Sequence, residues 1–140
     1  MHQLVYASKT GEHFKADAVG DILSVARRKN EASGLSGILF FSPKYFLQCL
    51  EGPQAALNQT FQRICLDERH SDIRILRYRE TACRQFEKWT MGSASSKQVN
   101  RMVYFKYFDD DILNPFNLKE DGCLEFLGDL RRNALILDDD

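Results

Sequence analysis

Residues 34–53 read Gly34-Leu35-Ser36-Gly37-Ile38-Leu39-Phe40-Phe41-Ser42-Pro43-Lys44-Tyr45-Phe46-Leu47-Gln48-Cys49-Leu50-Glu51-Gly52-Pro53. The run from Leu35 to Phe41 is almost continuously apolar, the pattern of a central strand covered on both faces. Ser42-Pro43-Lys44 is a turn, with proline presetting its φ. Tyr45 to Glu51 returns as the second strand of a hairpin. Period-two alternation places Phe46, Gln48 and Leu50 on one face and Tyr45, Leu47, Cys49 and Glu51 on the other. Gly34 marks the exit from a preceding helix. Gly52-Pro53 opens a second helix, with Pro53 at its first position, where a missing N–H costs little.

Upstream, Leu4 to Ser8 is a strand with Leu4, Tyr6 and Ser8 on one side and Val5 and Ala7 on the other. Phe14 to Ala32 has helical period: Ile22, Ala26 and Asn30 fall at i, i+4 and i+8, with Val25 and Lys29 beside them and Arg27 and Arg28 opposite. Downstream, Leu57, Phe61 and Ile64 are the buried stripe of the second helix, and Arg63, Asp67 and His70 form a polar ridge beside it. Ile73 to Thr81 is a basic strand, and Trp89 to Ser93 a short last strand with Trp89 and Met91 on one face. The order β-α-β-β-α-β-β predicts an α+β, ferredoxin-like sheet with both helices on one face. Residues 1–96 form that unit. Residues 97–140 are a C-terminal helical extension expected to cover the other face, of this chain or of a second one, offering Met102, Val103, Phe105 and Phe108, then Leu124, Leu127 and Leu130 at helical spacing, and ending in an acidic tip at Asp138-Asp139-Asp140.

The whole chain has 140 residues, 44% hydrophobic and 28% charged, with formal net charge −1. One soluble domain with a short appendage fits these values, and disorder as the main state does not. A near-neutral balance exerts no global pull on nucleic acid or anionic lipid. No apolar run approaches the roughly 20 residues of a membrane helix. Cys49, Cys65, Cys83 and Cys123 include no C-x-x-C pair, so zinc is not indicated, and with no signal peptide the thiols read as reduced in a cytoplasm. The basic residues around Arg69 to Arg84 would suit RNA, but the central strands lack the aromatic motif of RNA-recognition domains.

Three polar residues stand where apolar ones are expected. Gln48 lies between Phe46 and Leu50 on the strand face that meets the helices, and a buried amide without partners costs about 1–3 kcal/mol. Tyr6 falls on the corresponding face of the first strand, and Asn30 ends the apolar stripe of the first helix. They read either as structural core residues, with Gln48 satisfied by backbone or by the Tyr6 hydroxyl, or, converging between two helices, as a polar lining in an apolar slot, the form of a small-molecule site. Arg63 reads either as a solvated side chain or as the partner of an anionic ligand group.

The sequence resembles the BLUF domain, a blue-light sensor that holds flavin adenine dinucleotide (FAD). The resemblance rests on Leu4-Val5-Tyr6-Ala7-Ser8, on Asp21-Ile22-Leu23 through Ala26-Arg27-Arg28-Lys29-Asn30, on Ser33-Gly34-Leu35-Ser36-Gly37-Ile38-Leu39, on Phe46-Leu47-Gln48-Cys49-Leu50-Glu51-Gly52-Pro53, on Arg69-His70-Ser71-Asp72-Ile73 and on Phe86-Glu87-Lys88-Trp89-Thr90-Met91-Gly92. It implies a flavin ring between the two helices, with Tyr6 and Gln48 as the photoactive pair and Trp89 and Met91 as residues that shift with the light state. It further implies Asn30 at the flavin's polar edge and Ile22 and Val25 against the ring. Lys29 stands beside Asn30 at a position variable in the family. Arg63, Asp67 and His70 would meet the ribityl and phosphate part. The expectation is a short photoreceptor, not an enzyme, forming a homodimer and signalling through a separate effector protein. The alternatives are a flavin redox enzyme without a photocycle and a cofactor-free ferredoxin-like binding module.

Overall fold

A computed structural model describes residues 1–12, 14–99, 101–108 and 113–132. The acidic tip expected at residues 138–140 lies outside them. Among the described residues five strands form one sheet in the order β4-β1-β3-β2-β5. They are β1 (His2–Thr10), β2 (Ser36–Phe41), β3 (Tyr45–Gly52), β4 (His70–Glu80) and β5 (Gly92–Ser95). β3 is antiparallel to both β1 and β2, and β1 is antiparallel to β4. Helix α1 (Val19–Ser33) therefore links parallel strands β1 and β2 across β3, and α2 (Gln54–Cys65) links β3 and β4 across β1. This is the split β-α-β arrangement of a ferredoxin-like α+β fold. β5 joins at the edge, parallel to β2.

The helix ends differ from their predicted positions for local reasons. Residues 16–18 form a 3-10 turn ahead of α1. Gly34 closes α1 in the left-handed region, at φ 74°, and donates its N–H to the Asn30 carbonyl. Pro53 is the residue before α2 and not its first position: it is extended, at ψ 136°. Its carbonyl instead accepts the Leu57 N–H at 2.9 Å. α2 ends at Cys65, so Asp67 and His70 do not continue its ridge; Asp67 lies in the connecting turn and His70 begins β4. The last strand begins at Gly92, three residues later than predicted.

Each sheet face has its own core. Leu4, Tyr6, Leu39, Phe46 and Leu50 pack under α1 and α2 with Val19, Leu23, Leu57 and Met91. On the other face Val5, Ala7, Ile38, Phe40, Leu47 and Cys49 are covered by the C-terminal segment. That cover is α3 (Arg101–Tyr107) and α4 (Glu120–Arg132), which contribute Val103, Phe126, Leu127 and Leu130, with Phe108 and Leu118 between them. Phe126 is central, with ring contacts to Phe40, Tyr107 and Phe108. Burying side chains of this size contributes about 1.5–3 kcal/mol each before entropy is subtracted. Met102 and Phe105, predicted to help cover the sheet, instead point outward and are 86% and 57% exposed. Asp129 on α4 accepts from Lys106 at 2.9 Å and from the Tyr107 hydroxyl, tying the two helices together.

The basic face of β4 is also used by this cover. Arg77 reaches Asp121 at 3.1 Å and Glu120 at 3.6 Å, and Arg79 pairs with Glu120. Both acids lie in the first turn of α4, where the helix dipole favours negative charge. Arg74 stands 4.2 Å over the ring of Phe116.

Candidate functional site

β1 and β3 pair in a register that sets Tyr6 directly opposite Gln48, with Leu39 of β2 on the other side of Gln48. All three side chains face the helices. The Tyr6 hydroxyl donates to Gln48 Oε1, and Gln48 Nε2 donates to Met91 Sδ at 3.4 Å. Tyr6 and Met91 are fully buried, and Gln48 is 6% exposed. Burial holds the Tyr6 hydroxyl well above the usual phenol range, so it stays protonated and available as a donor. The amide stands with its oxygen toward Tyr6 and its nitrogen toward Met91.

Above the pair a cavity of about 220 Å³ opens between α1 and α2. Ile22, Val25 and Lys29 line it from α1, together with Asn30, and Arg63 and Ile64 line it from α2. Asp67 and His70 are there as well, because the turn after α2 folds back toward β1. Ten of the eleven site residues expected from the sequence thus converge on one place. Trp89 does not. It packs on Phe86 in the outer core, with ring centroids 6.1 Å apart, so Trp89 and Met91 do not share a face. The alternation assumed for them fails because residues 89–91 precede β5 and are not in the strand.

Several contributors are not evident from the sequence. Leu39, Ala26 and Thr60 complete the cavity wall, and Arg69 joins Arg63 and Lys29 among its cations. Asp67 orients Arg69 through the Arg69 N–H and guanidinium, both at 3.0 Å from Oδ1. That bonding holds the Asp67 carboxyl below its ordinary range. Among the described residues the Arg63 guanidinium bonds the Thr60 hydroxyl alone, at 3.1 Å, and is paired with no carboxylate. His70 contacts Ser8 Oγ at 2.8 Å through Nδ1, and burial pushes its pKa down to about 4, so the ring is neutral.

The segment carrying Met91 is held from both sheet faces. Asn30 Nδ2 donates to the Thr90 carbonyl at 2.6 Å, and Arg27 Nε to the Met91 carbonyl at 3.0 Å. Arg27, read from helical period as a residue of the opposite side, reaches the segment by its length. On the outer face Glu51 is fully buried and accepts the N–H of Gln85 and of Phe86, the latter at 2.8 Å, as well as Gln3 Nε2. The signal for Glu51 in the sequence is a carboxylate alternating with Leu47 and Cys49 on a face that must be covered.

The residues fit a flavin. Ile22, Leu39, Leu50 and Ile64 supply apolar walls, while Tyr6, Gln48 and Asn30 supply donors and acceptors at the base. The enclosed volume is below the roughly 300–1,000 Å³ of whole-ligand pockets. A ring system would fit within it, and the remainder of a longer ligand would extend past Arg63 and Arg69.

An apolar slot with a tyrosine–glutamine pair at its base and cations at its mouth defines a flavin-binding sensor module. A family model described as BLUF, sensors of blue-light using FAD, matches residues 1–92, and the chain belongs to that family. It is 33% identical over 124 residues to the blue light- and temperature-regulated antirepressor BluF of Escherichia coli (strain K12). It is 31% identical over 103 residues to the photoactivated adenylate cyclase subunit alpha of Euglena gracilis. The first alignment covers 88% of this chain and 31% of that protein, the second 72% and 10%. The chain therefore spans less than a third of the length of these curated relatives. Among solved structures, the photo-activated state of BlsA superposes with a TM-score of 0.82 at 28% identity, over 92% of this chain and 93% of that one. Among the described residues no helix is long and apolar enough to cross a membrane.

Proposed function

We propose that this chain is a cytoplasmic blue-light photoreceptor that binds FAD non-covalently, is not itself a catalyst, and signals to a separate partner protein. The observation that carries the reading is the buried chain Tyr6–Gln48–Met91 at the base of the cavity. The bound flavin supplies light absorption and a redox-active ring. Asn30, Ile22, Val25 and Lys29 would hold that ring from α1, and Arg63, Asp67, Arg69 and His70, which line the same cavity, would meet the ribityl and phosphate part.

The switching element is the Gln48 side chain. In the arrangement described, Oε1 accepts the Tyr6 proton and Nε2 faces a thioether. Turning the amide over would present Nε2 to the Tyr6 hydroxyl oxygen, which can accept, and would turn Oε1 away from Tyr6 toward the Met91 side, where the thioether has no proton to donate and Oε1 needs another donor. The two states differ in which groups donate to which, and the difference biases whatever packs against the amide. Here that is Met91, whose carbonyl is bound to α1 through Arg27. Trp89 touches the same segment from the outer core, on the sheet face opposite the cavity. The output surface is the C-terminal cover, residues 97–140. Exposed Met102 and Phe105 on α3 support self-association as a homodimer.

The test is spectroscopic. The purified protein is expected to be yellow, to show oxidised flavin absorption in the dark and to give a small, reversible red shift under blue light. Chromatography of the released cofactor should yield FAD. A bleached blue band, or protein without flavin, overturns the reading. Sedimentation velocity checks the dimer.

A further inference from the structure

A second cavity, of about 310 Å³, opens between the loop leading to Met91 and the C-terminal end of α4. Its floor is the stacked pair Phe86 and Trp89, with an interplanar angle of 25°. Around it stand Arg84, Lys88 and Arg131, against one carboxylate, Glu87. Among the described residues none of these three cations is paired with a carboxylate. Arg84 donates to the carbonyls of Gly34 and Glu51 and to the Ser36 hydroxyl. Arg131 donates to the Gln85 carbonyl and lies 5.9 Å over the Phe86 ring. Neutral acceptors satisfy these donors but leave the charge uncompensated. The contrast with Arg77, Arg79 and Arg132, each paired with an acid of α4, is sharp.

From this geometry we infer that the cleft docks an acidic segment of a partner protein. An apolar or aromatic side chain of the partner covers the half-buried Trp89, whose ring is backed by the buried Phe86, and flanking carboxylates meet Lys88 and Arg131. Anionic groups gain most where cations lack partners, and aromatic floors are favoured anchors at interfaces. The cleft shares its backbone with the flavin site. The Trp89 carbonyl accepts the Gly37 N–H at 3.0 Å, and the next two carbonyls accept Asn30 and Arg27. A partner seated on Trp89 thus contacts the segment that ends in Met91, and by linkage its affinity and the state of that segment influence one another. This coupling rests on the proposed photoreceptor function; the docking does not.

Trp89 is the single tryptophan of the chain, so its fluorescence reports on the cleft. The experiment titrates the flavin-loaded protein, in the dark, with the peptide Ac-Glu-Asp-Phe-Leu-Glu-Asp-NH2 and with a control having lysine at every acidic position. A saturable Trp89 response to the acidic peptide alone is expected, weakened by added salt and weakened roughly tenfold by Lys88→Glu. Lys88 makes no hydrogen bond or ion pair within the described chain, so that variant should keep its flavin and its spectral shift. Equal binding of both peptides, no binding, or undiminished binding by Lys88→Glu overturns the docking site. Repeating the titration under blue light tests the coupling: a changed affinity supports it and an unchanged one overturns it. A chain without a photocycle would still give the dark result, so the two readings fail separately.

Discussion

Tyr6 and Gln48 are cross-strand partners, and the tyrosine hydroxyl donates to the glutamine's side-chain oxygen inside a fully buried core. Phenylalanine at position 6 would keep the ring, with its contacts to Phe61 and His70, and remove only the donor. Tyr6→Phe should retain flavin, lose the light-induced red shift and lower stability by about 1–3 kcal/mol, because a buried acceptor is left unpaired. Difference spectra and urea unfolding check both parts. Gln48→Ala should likewise retain flavin without the shift.

Arg63 carries a different kind of role. Among the described residues its side chain bonds only Thr60 of its own helix, so Arg63→Ala should leave unfolding of the flavin-free protein nearly unchanged. Flavin affinity should fall about ten- to a hundredfold, the effect of losing one interaction with a charged group. Molecules that keep flavin should shift normally. Unchanged affinity by dialysis would return Arg63 to the solvated surface.

Acid should expose the cost of burying His70. Its pKa is about 4 in the fold against an ordinary value near 6.5. Between those values the unfolded chain takes up a proton that the fold does not, so stability is full above pH 6.5 and is lost as pH falls toward 4. From pH 7.5 to 5.5 this group alone should remove about 1 kcal/mol. His70→Gln should flatten that interval in urea midpoints, and an unflattened profile would assign the loss elsewhere.

The C-terminal cover is tested by two substitutions of opposite expectation. Phe126→Ala removes a fully buried ring at the centre of the outer core and should cost about 3–5 kcal/mol. Met102→Ser, on the exposed side of α3, should change stability by less than about 0.5 kcal/mol. Removing residues 97–140 altogether should keep flavin binding but expose Val5, Phe40 and Leu47 and cause aggregation.

How much of this was open to reading follows from which signals are local. The hairpin and the two crossovers are legible because alternation, a turn proline and Gly34 all act within a few residues. The Tyr6–Gln48 pair is legible as two polar residues on faces that must be buried. The end of α2 is not, because Leu66 follows Cys65 with no glycine or proline to stop the period. Asp67 and His70 still reach the cavity, but from a turn and a strand. Trp89 is misplaced by extending alternation into a segment held by Asn30, Arg27 and Gly37, all distant in sequence. Arg27 itself is hidden because helical period describes where a Cβ points and not how far a long side chain reaches. The same limit applies to α3, whose seven residues are too few to fix which side turns inward.

Strand β3 presents Phe46, Gln48 and Leu50 to one core while Leu47, Cys49 and Glu51 serve the other. Photochemistry and structural cover are thereby written in alternate letters of the same few residues. A single-residue insertion or deletion in the Ser42–Lys44 turn that slipped the pairing by one position would exchange the two sets, putting Cys49 or Leu47 where Gln48 stands and an amide in the outer core. Substitutions can tune either face independently, but length changes in this hairpin cannot. Variation among functional descendants of this chain should therefore accumulate as replacements within the hairpin, with gaps confined to connections such as the one between α3 and α4.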